Sequence, residues 1–239
     1  MIPHVLLGSA PVPGHDGELR LYRHDGDFYL RVNGTELMSS RAHGSEEMMV
    51  EFALERLSDR RAPKVLVGGL GMGYTLARVL QLFNAQTRVV VAELVPQVLA
   101  WNREILGELA GHPLKDQRVE VHEGDVYALI QASNAEYDVI LLDVDNGPEG
   151  LTRDSNSKLY NSKGLADARR ALKPGGVLAV WSATLHDSFA QRMKDCGFWT
   201  DEIQVRTRRN RGARRTIWVA VSKPANAIAD QGAEKTLNS

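Results

Sequence analysis

The chain has 239 residues, 43% hydrophobic, 25% charged and 6% aromatic, a composition that fits one large globular domain with at most a small appendage and excludes fibrous, collagen-like and wholly disordered classes. Its 29 Lys and Arg against 30 Asp and Glu leave a formal net charge of −1, so no chain-wide field draws it to nucleic acid or an anionic membrane and charge-based recognition must be local. Cys196 is the single cysteine, and with no basic-flanked apolar leader and no apolar run of about 18 residues, the expectation is a cytoplasmic protein without disulfides or membrane spans.

Residues 1–43 read as a small β-meander. Leu19, Tyr22, Phe28, Leu30, Val32 and Leu37 alternate around Asp25-Gly26 and Asn33-Gly34, two turn dipeptides that join antiparallel strands. From Ser45 the period becomes helical, with Met48, Met49, Phe52, Ala53 and Leu57 on one stripe, Ser45 as the expected N-cap and Glu46 and Glu47 in the first turn, where the helix dipole favours acids. Residues 44–222 then form the main domain, and the small, polar residues 223–239 a frayed tail.

Within the main domain, short apolar runs at Val65–Val67, Arg88–Ala92, Val119–His122, Val139–Leu142 and Val177–Trp181 suit strands buried on both faces. Helical patterns at Thr75–Phe83, Pro96–Leu106, Val126–Ala132, Ser162–Leu172 and His186–Cys196 alternate with them. The runs Glu202–Arg206 and Thr216–Val221 have no helix between them and predict an antiparallel hairpin. The resulting fold class is α/β: a Rossmann-like, seven-stranded, mostly parallel sheet with helices on both faces, closed by a C-terminal antiparallel hairpin and preceded by the meander.

The densest chemistry lies at the strand ends. Val65-Leu66-Val67-Gly68-Gly69-Leu70-Gly71-Met72-Gly73 runs from a strand through glycines into a helix, which lets backbone approach a ligand and leaves N–H groups at the helix start. Alone, such a turn is a weak signal, with a merely tight strand-to-helix connection as the lesser alternative. Its context is a carboxylate at Glu93, ending the second strand, and another at Asp125, after the third. The first suits ribose hydroxyls and the second an adenine amine, so an adenosyl ligand across the carboxyl edge of the sheet is expected. Gly69, Gly71 and Gly73 are followed by Tyr74 where a dinucleotide fingerprint needs its last glycine, which favours S-adenosylmethionine over a dinucleotide. Gly69, Gly71, Met72, Gly73, Glu93, Leu94, Gly124, Asp125, Val126 and Asp143 are the candidate donor-binding residues.

After the fourth strand, Asp143-Val144-Asp145-Asn146-Gly147-Pro148 brings two carboxylates and an amide to the mouth of that pocket. Asp143 and Asp145 are the candidate catalytic groups, able to hold an amine or take its proton; capping of the Asn146-Gly147 turn is the structural alternative. The polar stretch to Tyr160 is long enough to cover a substrate, and Asp154, Asn156 and Tyr160 are candidates for lining it. The seven histidines show no metal-ligand spacing, so no metal is expected; for His43 a surface turn is the plainer reading. Arg206, Arg208, Arg209, Arg211, Arg214 and Arg215 cluster in ten residues. Without interleaved aromatics a solvated hairpin outweighs nucleic-acid binding there.

These residues together resemble the spermidine synthase (polyamine aminopropyltransferase) family, within the class I S-adenosylmethionine-dependent methyltransferase superfamily, over roughly Leu19 to Val221. The N-terminal meander, the glycine turn, Glu93, Gly124-Asp125, the acidic loop at Asp143 and Leu172-Lys173-Pro174-Gly175-Gly176 all have family counterparts. The resemblance implies Glu93 on the ribose, Asp125 on the adenine, Asp143 as the base, Glu47 near the acceptor, and a homodimer. The family's aspartate in the glycine turn, however, falls on Met72, and its glutamine and tyrosine on Leu37 and Ser45. That aspartate would bind the aminopropyl ammonium of decarboxylated S-adenosylmethionine and repel the carboxylate of the intact donor. Its loss turns the expectation towards methyl transfer from S-adenosylmethionine to an amine or hydroxyl of a small molecule. Aminopropyl transfer from the decarboxylated donor is the alternative, and a non-catalytic adenosyl sensor or RNA-binding protein a second one.

Overall fold

The structure, a computed structural model, describes residues 3–14, 16–144, 157–208 and 211–224. Strands β1 (Val5–Pro11), β2 (Glu18–His24), β3 (Asp27–Val32) and β4 (Thr35–Ser39) form an antiparallel sheet in sequential order. Both turn dipeptides sit where the alternation puts them. His24 pairs with Asp27 and Val32 with Thr35, and Asp25, Gly26, Asn33 and Gly34 all adopt positive φ, as a two-residue turn matching the twist of the strands requires. Strand β1 is an addition, since its residues carry no clean alternation in the sequence.

Helix α1 spans Gly44–Arg56, and its N-cap is His43, with no side-chain cap. This corrects the expected N-cap: Ser45 lies inside the helix, fully buried, its hydroxyl taken up by tertiary partners.

The second sheet is built from β5 (Lys64–Gly68), β6 (Arg88–Glu93), β7 (Val119–Glu123), β8 (Tyr137–Leu142), β9 (Leu172–Ser182), β10 (Phe198–Arg208) and β11 (Arg211–Ser222). Its order is β10-β11-β9-β8-β5-β6-β7. Strands β5 to β9 pair in parallel, and β11 pairs antiparallel with both β9 and β10. The connecting helices are α2 (Tyr74–Leu82), α3 (Pro96–Arg103), α4 (Val126–Ala132), α5 (Ser157–Tyr160), α6 (Ser162–Ala171) and α7 (Asp187–Asp195). Helix α3 ends three residues before the predicted limit at Leu106, where the chain passes into short 3-10 turns. No helix among the described residues is long and apolar enough to cross a membrane.

Burial explains the strand runs. All six residues of β8 are buried, because both sheet faces are covered: one by α1, α2, α3 and the N-terminal sheet, the other by α4, α6 and α7. Each large aliphatic side chain so removed from water contributes about 1.5–3 kcal/mol. Strand β5 has β6 on one side and β8 on the other, so successive connections leave it in opposite directions. A crevice opens at the carboxyl ends of these strands at that reversal, and the N-terminal sheet closes over it.

Candidate active site

Four strand ends deliver the site in spatial order: Asp143 after β8, the glycine turn after β5, Glu93 ending β6 and Asp125 after β7. They line one cavity, together with Gly71, Leu94, Val126 and Val144 from the same edge and Leu30, Val32, Leu37 and Met38 from the N-terminal sheet.

The glycine turn is held tightly. Gly69 adopts φ +88°, and a Cβ there would stand 2.4 Å from the carbonyl oxygen of Asp143, so only glycine lets β5 and β8 end side by side. Asp143 N–H donates to the Gly68 carbonyl at 2.9 Å, and Gly69 N–H to that of Ala92 at 2.9 Å.

Glu93 is 8% exposed, and its carboxylate faces inwards. Leu70 N–H and Val95 N–H donate to its two oxygens at 2.9 Å each. Burial pushes its carboxyl up, while these backbone donors pull it down. Asp125 is the N-cap of α4 and accepts from Tyr127 N–H at 2.8 Å; it therefore carries the capping role and also faces the cavity.

Asp143 accepts from the Thr75 hydroxyl at 2.8 Å. Burial raises its carboxyl to about 6, against the Thr75 hydrogen bond, which lowers it. Beside it stands Glu46, 4% exposed. Burial, compounded by the Asp143 charge, pushes Glu46 up to about 8. Ser45 donates to Glu46 at 2.5 Å and accepts from the Trp181 indole N–H at 3.0 Å, while the Arg215 guanidinium lies 5.5 Å from the Trp181 ring centre. Two carboxylates thus share one end of the cavity, in surroundings that make their joint ionisation costly until a cation arrives.

Several expected residues lie elsewhere. Glu47 is absent from the cavity wall: it bonds His43 Nδ1 at 2.8 Å, and that imidazole stacks on Tyr74 at 3.9 Å. Glu46, one residue earlier, is the acid the helix turns inwards, about 100° around the axis. Tyr160 is 1% exposed and packs against Phe189 at 5.8 Å in the core beneath the opposite sheet face, so it does not line the cavity. Met72 and Gly73 support the turn from behind; Met72 is fully buried, its N–H set against the Met38 sulfur at 3.2 Å. Asp145, Asn146, Asp154 and Asn156 lie outside the described residues. Sequence reasoning missed Glu46 as a site residue, together with Thr75, Ser45, Met38 and Trp181. Glu46 carried a visible signal, an acid in a first helical turn beside a predicted pocket, and Ser45 fell on a family site position.

Residues 42–195, from the start of α1 to the end of α7, match the family model described as the spermine/spermidine synthase domain. The chain belongs to the spermine/spermidine synthase family. Within it, a polyamine aminopropyltransferase of Nitrosomonas europaea is 35% identical over 152 residues, 63% of this chain and 44% of that protein. Putrescine N-methyltransferase 2 of Nicotiana attenuata is 29% identical over 140 residues, 58% of this chain and 35% of that one. The chain thus spans less than half the length of these relatives. Among solved structures, a spermidine synthase in complex with the transition-state analogue AdoDATO superposes with TM-score 0.74 at 17% identity, over 90% of this chain and 73% of that one. Thermotoga maritima spermidine synthase gives 0.71 at 17% identity, over 90% and 72%. The spermidine synthase fold therefore extends beyond the matched segment to the N-terminal sheet and the C-terminal hairpin.

Proposed function

We propose that this protein is a transferase of the polyamine aminopropyltransferase type, moving the aminopropyl group of decarboxylated S-adenosylmethionine to a small-molecule amine. The observation that carries this reading is the Glu46–Asp143 pair at one end of a cavity whose other end holds Glu93 and Asp125. The inward carboxylate of Glu93, the close-approach glycines and Asp125 fit an adenosyl group. The two acids Glu46 and Asp143, side by side at the other end of the cavity, fit a donor ammonium and an acceptor amine. The expectation of methyl transfer rested on Met72 replacing an acid. Glu46 supplies a carboxylate to the same chamber from another element, and it would bind the aminopropyl ammonium and oppose the carboxylate of the intact donor.

When bound, the donor supplies a sulfonium-activated carbon, on which the acceptor nitrogen forms a C–N bond as the C–S bond breaks and sulfur leaves as a neutral thioether. Asp143 takes the proton that the nitrogen sheds; a carboxyl titrating near 6 is ionised at neutral pH yet basic enough to accept it. Thr75 fixes the direction of that carboxylate. Leu30, Val32, Leu37 and Met38 cover the reacting centre and exclude water, which strengthens each charge interaction inside.

Methyl transfer is the second reading, favoured by Met72 in the glycine turn and by the relative named putrescine N-methyltransferase. Calorimetric titration with the decarboxylated and the intact donor, followed by mass spectrometry of products formed from diamines, separates the two. Preference for the decarboxylated donor and addition of an aminopropyl mass are expected; preference for the intact donor with addition of a methyl mass would replace the main reading with the second.

A further inference from the structure

The hairpin β10–β11 runs past the sheet it closes. Pairing of β11 with β9 stops at Thr216↔Ser182, whereas β10 and β11 continue to pair through Val205↔Arg215, Arg206↔Arg214 and Arg208↔Arg211. Because β11 is antiparallel to β9, this two-stranded ribbon overhangs the carboxyl edge of the sheet, the edge at which the cavity lies. Val205 and Thr207 are buried, and Thr207 lies against the start of α1 at Gly44, so the ribbon is anchored.

Four of its arginines lack acidic partners among the described residues. Arg206, Arg208, Arg211 and Arg214 are exposed, and among the described residues none of them pairs with a carboxylate. Their hydrogen bonds go to backbone carbonyls instead: Arg206 to Gly212 at 3.1 Å and Arg208 to Arg41 at 3.0 Å. Arg206 and Arg214 stand directly opposite each other, a like-charge cross-strand pair that destabilises a ribbon unless an anion sits between. In a chain of net charge −1, this is a local concentration of guanidinium charge without carboxylate partners among the described residues.

We propose that this ribbon is a binding surface for the phosphate backbone of a nucleic acid. Successive rungs of one ribbon face lie about 7 Å apart, so the guanidinium groups form a ladder that suits a repeating polyanion better than a single phosphate. A projecting two-stranded ribbon also has the dimensions of a duplex groove. Backbone contacts of this kind give salt-dependent binding with little sequence preference.

The test is fluorescence anisotropy with a labelled 20-nucleotide single-stranded RNA and its duplex DNA counterpart over a NaCl series. The full chain is compared with Arg206→Gln/Arg214→Gln and with Arg103→Gln, an exposed arginine on α3. We expect binding that weakens steeply with salt. The double variant should lower the log–log slope on single strands by about 1.4, two phosphates at about 0.7 each, and weaken binding at least about tenfold at low salt, with Arg103→Gln unchanged. No binding at low salt, a flat salt response, an equal loss from Arg103→Gln, or equal affinity for polyglutamate would each overturn the proposal. The wild-type salt slope stands independently of whether the double variant folds, and amine transfer, measured in parallel, is expected to be unchanged by the double variant.

Discussion

The Thr75 hydroxyl donates to Asp143 at 2.8 Å across the gap between α2 and the end of β8. One residue of the glycine-turn helix thereby fixes the direction of a buried carboxylate and opposes the upward push of burial on it. Thr75→Val removes a bond to the ionised carboxylate, worth about 1.5 kcal/mol. The acid limb of the rate–pH profile, expected near 6 in the wild type, should move up by about one unit. An unshifted limb would show that Asp143 is not the group being titrated.

Asp143→Asn leaves the size of the side chain and the Thr75 contact in place but removes the base. Turnover should fall about 10²–10⁴-fold while donor affinity measured by calorimetry stays within a few-fold. Unchanged turnover would remove Asp143 from the chemistry, and a protein that binds the donor without any turnover in either form would be a sensor rather than an enzyme.

Glu46 carries its proton up to about 8 in the fold, against 4.5 as its ordinary value. Because the folded value is the higher one, the native state binds the extra proton, and stability is lost as pH rises between these values. Below about 4.5 nothing is lost. Glu46→Gln, which can still accept from Ser45, should therefore melt with the wild type at pH 4.5 and above it at pH 8.5, by an amount of a few kcal/mol. A cationic ligand should narrow the difference, since it stabilises the ionised acid.

Glu93→Ala leaves Leu70 N–H and Val95 N–H without their acceptor. Each buried donor left unsatisfied costs about 1–3 kcal/mol, so the melting temperature should fall by at least about 4 °C, and donor affinity should fall with it. Loss of affinity with an unchanged melting temperature would mean that Glu93 serves the ligand alone.

Gly69→Ala forces a Cβ to within 2.4 Å of the Asp143 carbonyl at φ +88°. Denaturant titration should show a loss of more than about 1 kcal/mol. The rate should fall as well, because the strand end that carries Asp143 must move. An unaffected rate would separate the turn from the placement of the base.

Much of the architecture was legible because it follows from local rules. Asp25-Gly26 and Asn33-Gly34 specify their turns through positive φ, which few residue pairs tolerate. The apolar run Val139–Leu142 reads as a doubly buried strand because it is short and uniformly apolar, with no polar face to turn to water. Asp143, Glu93 and Asp125 were legible as strand-end acids, since a parallel sheet puts every such end on one edge. The N-cap expected at Ser45 lies at His43, and Glu46 rather than Glu47 enters the cavity wall, because both positions depend on the angle at which α1 meets the sheet. Composition near a helix start does not encode that angle.

The sequence by itself determined the order of strands and helices, the glycine turn and the acids at the carboxyl edge, because each depends on neighbours a few residues away. Only the tertiary structure decided that Glu46 faces Asp143, that Thr75 and the Ser45–Trp181 bonds orient the pair, and that the Arg206–Arg214 ribbon lacks carboxylate partners among the described residues. The hydrogen bonds that orient the pair join residues 68 and 136 positions apart. They rest on packing and on the charges that packing brings together or leaves alone, which no local pattern carries.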